Sequence, residues 1–281
     1  MRTNEEIIDL ILNVAHTDPL IQTIGMQGSR SKDNHVDKYS DFDLVFIVDD
    51  LQPYMDDKHW IDRFGDILIL QTPDDWFDHP FEPHTMHKFT WLMQFRDGTR
   101  IDLTVIQSDE ESLPTLQMKV IFDRTGILSS ILQTETFPFT YPAEKEFLDT
   151  VNEFWWMTLY VTKGICRAET TYAKASFDIL LAMTNRMLEW QIQMQHDGQA
   201  NVGKYMRHLQ DYLTVETFNI YANCFPTLQR DDLEVKLIHI IDFFLETSSA
   251  VATMSGYQKG SENTDQIKTM IRAQIEASKI A

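Results

Sequence analysis

The feature that most constrains the fold is one change of texture near residue 140. Before it, short runs rich in β-branched and aromatic residues alternate with loops: Asp43 to Val48, Asp66 to Gln71, Phe89 to Phe95 and Arg100 to Ile106, each bounded by turn residues. After it, apolar residues recur at helical spacing, with breaks near His196 to Gly203, Asn223 to Gln229 and Ser255 to Asn263. An α/β half followed by an all-α helical bundle is expected, with domains at 1–140 and 141–281. Asp97-Gly98 between two of the runs is a strong hairpin signal, so Phe89 to Phe95 and Arg100 to Ile106 should pair antiparallel in a mixed β-sheet. Two prolines in Phe137 to Phe147 suit a linker that ends where a helix starts. With 281 residues and 43% hydrophobic content, the chain can bury a sizeable core.

Residues 1–20 carry acids inside an i, i+3, i+4 apolar pattern, which reads as an amphipathic helix and not as a signal peptide. A soluble, cytoplasmic protein with no membrane partner is expected, monomeric by default. Cys166 and Cys224 lie far apart without metal-ligand spacing and read as small core residues. The formal net charge of −19 argues against nucleic acid or anionic membrane as the main partner and favours a cationic ligand, although solubility alone accounts for many acidic chains.

Met26 to Val48 carries the chemistry. A Gly-Ser turn after the apolar run Leu20 to Met26 lets backbone N–H groups and a hydroxyl approach a phosphate, because Gly28 has no side chain in the way. Ser29 supplies the hydroxyl, and Arg30 adds a cationic fork. Asp41 and Asp43, at i and i+2 on an extended strand, point to one face and can share divalent cations, for which Mg2+ is the natural choice. Asp102, polar in an otherwise apolar run, is the candidate third acid. His84 and His87 are close in sequence but have no third ligand, and no metal role is assigned to them.

The order Gly-Ser, Asp-x-Asp, apolar strand and later strand-borne Asp resembles the nucleotidyltransferase superfamily built on the DNA polymerase β type of palm. The segments QGSR, SDFDLVFIV, FGDILILQTPDD, FRDGTRIDLTVI, NEFWWMTLYVTKGICRAE and VGKYMRHLQDYL together look like the aminoglycoside 6-adenylyltransferase (streptomycin adenylyltransferase) family. The resemblance runs over nearly the whole chain and is sketchier in residues 107–140 and after about 225. Pro80 to Phe89 departs from the expected pattern.

The resemblance implies transfer of AMP from ATP to an aminoglycoside hydroxyl, streptomycin being the first candidate, with pyrophosphate leaving and the antibiotic inactivated. It implies two Mg2+ ions, one on Asp41, Asp43 and Asp102 and one on Asp41 and Asp43. Asp102 or Glu82 is the base. Gly28, Ser29, Arg30 and Ser40 fall among the ATP contacts. Lys163 and Arg167, at i and i+4, project from one helix face and either clamp the β- and γ-phosphates or form a solvated face paired with Glu169. Lys204 is a further phosphate contact or an ordinary surface lysine. Glu153, Trp156 and Asp178 are the candidates for holding a cationic acceptor. Of Trp155 and Trp156, at least one belongs to the bundle core, and Asp178, inside an apolar helical stretch, lines a cavity or caps something. The alternatives are the same chemistry on another small molecule or a protein acceptor, and a non-catalytic nucleotide-binding module, against which three intact acids argue.

Overall fold

Thr3 starts the first helix with a reciprocal cap: its hydroxyl accepts the N–H of Glu6, and the Glu6 carboxylate accepts the N–H of Thr3. Helix α1 (Asn4–Thr17) then buries Ile7, Ile11, Val14 and Ala15 in the core of the α/β half. The computed structural model describes residues 2–31, 36–82, 86–108, 118–124, 126, 139–258 and 263–279. The chain divides into two compact units, Met1–Thr136 and Phe137–Ala281.

Among the described residues, the first unit holds one sheet of β1 (Ile21–Met26), β2 (Phe42–Val48), β3 (Ile67–Gln71), β4 (Lys88–Phe95), β5 (Arg100–Gln107) and β6 (Lys119–Asp123), in the order β3-β4-β5-β2-β1-β6. The pair β2 and β5 is parallel and the other pairs are antiparallel, so the sheet is mixed, as expected. The short helices α2 (Gly28–Ser31) and α3 (Gln52–Asp56) sit in the connections.

The expected hairpin joins β4 to β5. In its turn the Asp97 carboxylate accepts the N–H of Thr99 at 2.9 Å and a guanidinium N–H of Arg2 at 2.8 Å. Burial opposes the charge on Asp97, yet these donors and the Thr99 hydroxyl hold its carboxyl down at about 2. Strand β3 forms the sheet edge, and Leu68, Ile69 and Leu70 are exposed. Strand β6 has no counterpart in the sequence reading, because only Val120, Ile121 and Phe122 carry its apolar character.

The second unit is helical, with α4 (Glu144–Cys166), α5 (Thr170–Gln195), α6 (Val215–Ala222), α7 (Arg230–Ser255) and α8 (Thr264–Ser278). Three of these helices end where turn residues were read, after Gln195, Ala222 and Ser255. Phe154 of α4 stacks on Phe244 of α7, ring centroids 3.7 Å apart. Helix α7 is long and apolar enough to cross a membrane by length and composition. It nevertheless buries Leu233, Leu237, Ile240, Ile241 and Val251 in the bundle core. Buried Thr158, Thr162, Thr184 and Thr247 donate their hydroxyls to carbonyls one turn earlier, so the core accepts them without orphaned polar atoms. Cys224 is fully buried, which pushes its thiol up to about 11, and Cys166 is half-buried.

Helices α4 and α5 approach closely at Gly164, where a Cβ would lie 2.8 Å from the Cβ and 2.9 Å from the backbone N of Ala173. Gly164→Ala is therefore expected to force the hairpin apart and cost about 1–3 kcal/mol. Urea unfolding followed by tryptophan fluorescence measures this, and an unchanged midpoint would show that the two helices separate freely.

Candidate active site

Strand β1 ends at Met26, and the chain turns sharply through Gln27 and Gly28 into α2. The Gln27 N–H donates to the Asp43 carbonyl at 2.8 Å, which fixes the turn against β2. Gly28 has φ +64°, and a Cβ there would lie 2.1 Å from Asp43 Oδ2. Glycine is thus required twice, by backbone conformation and by the carboxylate packed on it. Ser29 follows, half-buried, in the same short helix.

The acids come together through the sheet. Asp43 of β2 is the Cα partner of Asp102 in the parallel β2–β5 register. Asp41 and Asp43 are half-buried while Phe42 and Leu44 are buried, so the alternation puts both acids on one face. Asp102 is likewise half-buried between the fully buried Ile101 and Leu103. Burial raises the carboxyl of Asp41 above its ordinary range; the nearby Arg100 charge opposes that shift and Asp102 adds to it.

Arg100, which the sequence reading passed over, is the cation of this site. Its Nε and Nη2 donate to the two carboxylate oxygens of Asp102 at 2.8 and 2.9 Å, and its Nε lies 3.4 Å from Asp41 Oδ2. The signal was available: Arg100 and Asp102 stand at i and i+2 on one strand and must share a face.

Arg30 needs correction. It is not an open fork for phosphate but a buried strut, donating to the carbonyls of Asp41 and Ser40 and to the Asn4 side chain at 3.0, 2.8 and 3.1 Å. Its guanidinium also lies over the Phe42 ring, 3.9 Å from the centroid. Ser40 is occupied as well, its hydroxyl accepting the N–H of Asp37 and donating to the Asp37 carboxylate. A cavity of about 570 Å³, lined by Asn4, Arg30, Ser40, Asp41 and Arg100 among others, adjoins this loop.

The remaining candidates are dispersed. Glu82 is exposed in the segment before β4, and His84 lies outside the described residues. Glu153, Lys163 and Arg167 are exposed on or just past α4, with Lys163 Nζ 5.2 and 5.6 Å from the ring centroids of Tyr160 and Tyr172. Neither cation pairs with Glu169 among the described residues. Trp155 is core and Trp156 is 55% exposed. Asp178 is also exposed, on α5, in an ion pair with Lys174 four residues earlier. Lys204 is exposed, with its ammonium 5.3 Å from the Tyr205 ring centroid.

The three acids offer hard oxygen donors of the kind a divalent cation takes. No three His, Cys, Asp or Glu among the described residues close on one point, and Arg100 engages both oxygens of Asp102. The donor chemistry fits Mg2+.

The whole chain can be compared with known proteins. The family model described as streptomycin adenylyltransferase matches residues 1–274. The chain belongs to that family. It is 31% identical to an aminoglycoside 6-adenylyltransferase of Campylobacter jejuni over 265 residues, 92% of this chain and 91% of that one. It is 30% identical to one of Staphylococcus aureus over 237 residues, covering 80% and 82%. Among solved structures, an aminoglycoside 6-adenyltransferase from Bacillus subtilis aligns over 98% of this chain and 99% of that one, at 23% identity and a TM-score of 0.45.

Gly28→Ala tests the turn. The added methyl must displace the Asp43 carboxylate or distort the backbone, so the variant should remain folded by circular dichroism but lose nearly all activity in an AMP-transfer assay. Full activity would mean that the position of Asp43 against the turn is unimportant.

Proposed function

We propose that this protein transfers AMP from ATP to a hydroxyl of an aminoglycoside, streptomycin being the first acceptor to test. The acceptor oxygen bonds to the α-phosphorus, the bond from that phosphorus to the β-bridging oxygen breaks, and pyrophosphate leaves. The observation that carries this reading is the pairing of Asp43 with Asp102 beside the Gly28 turn, in a chain whose relatives at 30–31% identity are aminoglycoside 6-adenylyltransferases.

Asp41, Asp43 and Asp102 would hold Mg2+, which when bound supplies positive charge against the triphosphate and acidifies the acceptor hydroxyl. Gly28 lets the Asp43 carboxylate pack against the turn, and the Ser29 hydroxyl beside it is the donor offered to a phosphate. Asp102 takes the acceptor proton on a carboxylate oxygen. Lys163, Arg167 and Lys204 are proposed for the phosphates and Glu153 for the cationic acceptor, on their exposure and charge, with Trp156 offering an exposed ring face to the same cation. Asp178 becomes available to an acceptor only by exchanging Lys174 for it.

The test is incubation with ATP, Mg2+ and a panel of aminoglycosides, followed by mass spectrometry for the AMP adduct and an assay for pyrophosphate. Streptomycin is expected to be modified, and Asp43→Asn should lower turnover by several orders of magnitude with the fold intact. No adduct on any aminoglycoside would end this reading.

The net charge of −19 generates a second expectation. Capture of a polycationic acceptor should weaken steeply as salt rises past the point where the Debye length is about 8 Å. Calorimetric titration of streptomycin at several ionic strengths measures it, and a salt-independent affinity would contradict charge-driven capture.

A further inference from the structure

We propose that Arg100 is a built-in counter-ion of the carboxylate site, holding Asp102 and Asp41 while no divalent cation is bound and giving them up when one loads. The inference rests on the reading of Asp41, Asp43 and Asp102 as the metal-binding acids. Three carboxylates at the start of two adjacent strands repel one another, and leaving them without a cation would strain the centre of the sheet. Arg100 removes that cost. Its fork closes on both oxygens of Asp102, at 2.8 and 2.9 Å, while Nε reaches Asp41 Oδ2 at 3.4 Å. These are the lone pairs that a divalent cation would need.

The arrangement is also reversible. The Arg100 side chain is 42% exposed and stands at the first position of β5, next to the hairpin turn, so its guanidinium can swing to solvent without disturbing the core. Contrast Arg30, whose buried fork is committed to backbone carbonyls and cannot move without loosening the chain before β2. One arginine of the site is a fixed strut and the other a displaceable lid on the ligand atoms. Arg100 is thus a positioning residue: it keeps Asp102 in the rotamer that faces Asp41 and sets how tightly the metal binds.

The test measures metal binding without turnover. Mn2+ is titrated calorimetrically into the wild type and into R100Q, R100K and D102N, and each is melted in chelator and in saturating Mg2+. If Arg100 occupies the acids about nine-tenths of the time, R100Q should bind Mn2+ about tenfold tighter, with R100K between the two because a lysine cannot close a fork. R100Q should melt below the wild type in chelator, and Mg2+ should close the gap, whereas a purely structural arginine would leave the deficit in both conditions. Unchanged or weaker Mn2+ binding in R100Q and R100K, with binding lost in D102N, overturns the counter-ion role alone. Equal Mn2+ binding in D102N and the wild type overturns the metal-site reading and this inference with it.

Discussion

Everything in the α/β unit depends on one pairing, the parallel register of β2 with β5 that sets Asp43 opposite Asp102. Side chains alternate along a strand, so a slip of one residue would turn Asp102 to the opposite face and bury it among aliphatic residues. The alternation works at both ends of β2. Phe42, Leu44, Phe46 and Val48 enter the large core on one face, while the other face begins with Asp41 and Asp43 and continues as Val45 and Ile47, packed with Ile106 and Met118. The apolar end of that second face therefore holds the strand pair in register for the acids at its polar end. Burial of one half of a strand face fixes the chemistry of the other.

The loop before β2 is shaped by a charge used as scaffolding. A buried guanidinium is costly unless its donors are satisfied, and Arg30 satisfies its own with two successive backbone carbonyls, Ser40 and Asp41, and with Asn4 from α1. Burial lowers its pKa from the usual arginine value, against the pull of Asp41, Asp37 and Asp43. Because the carbonyls it grips belong to the residues leading into β2, the arginine sets the backbone angle at which Asp41 arrives. A residue type that suggests anion binding is thereby turned into a determinant of carboxylate position.

What was legible in the sequence is what local pattern encodes. Asp97-Gly98 gave the hairpin because the turn's chemistry lies within four residues. The Asp41 and Asp43 spacing gave a shared face because strand geometry has period 2. The edge position of β3 and the short β6 were not legible, since neither edge nor partner is written in a strand's own residues. The role of Arg30 was misread for a related reason: composition says that a guanidinium is present, while only the tertiary arrangement says which acceptors reach it first. Asp178 shows the same limit in a helix, where an acid in an apolar stretch has an exposed ion pair with Lys174 that its i, i+4 spacing allows but does not compel.

The two units carry information of different kinds. In the sheet, Asp41, Asp43 and Asp102 are positioned by the strand pairing and by neighbours in the core, so their placement follows from topology. On α4 and α5 the outward residues are held by much less: Trp156 is mostly exposed, and the Lys163 ammonium rests over two tyrosine rings. Ring contacts of this kind are worth about 0.5–1 kcal/mol at exposed sites, small beside the cost of moving a residue in a paired strand. Side chains so loosely held can exchange partners at little cost. Position in the sheet is therefore written in register and burial, whereas on the outward faces of α4 and α5 it is set by weak contacts that a few tenths of a kcal/mol can rearrange.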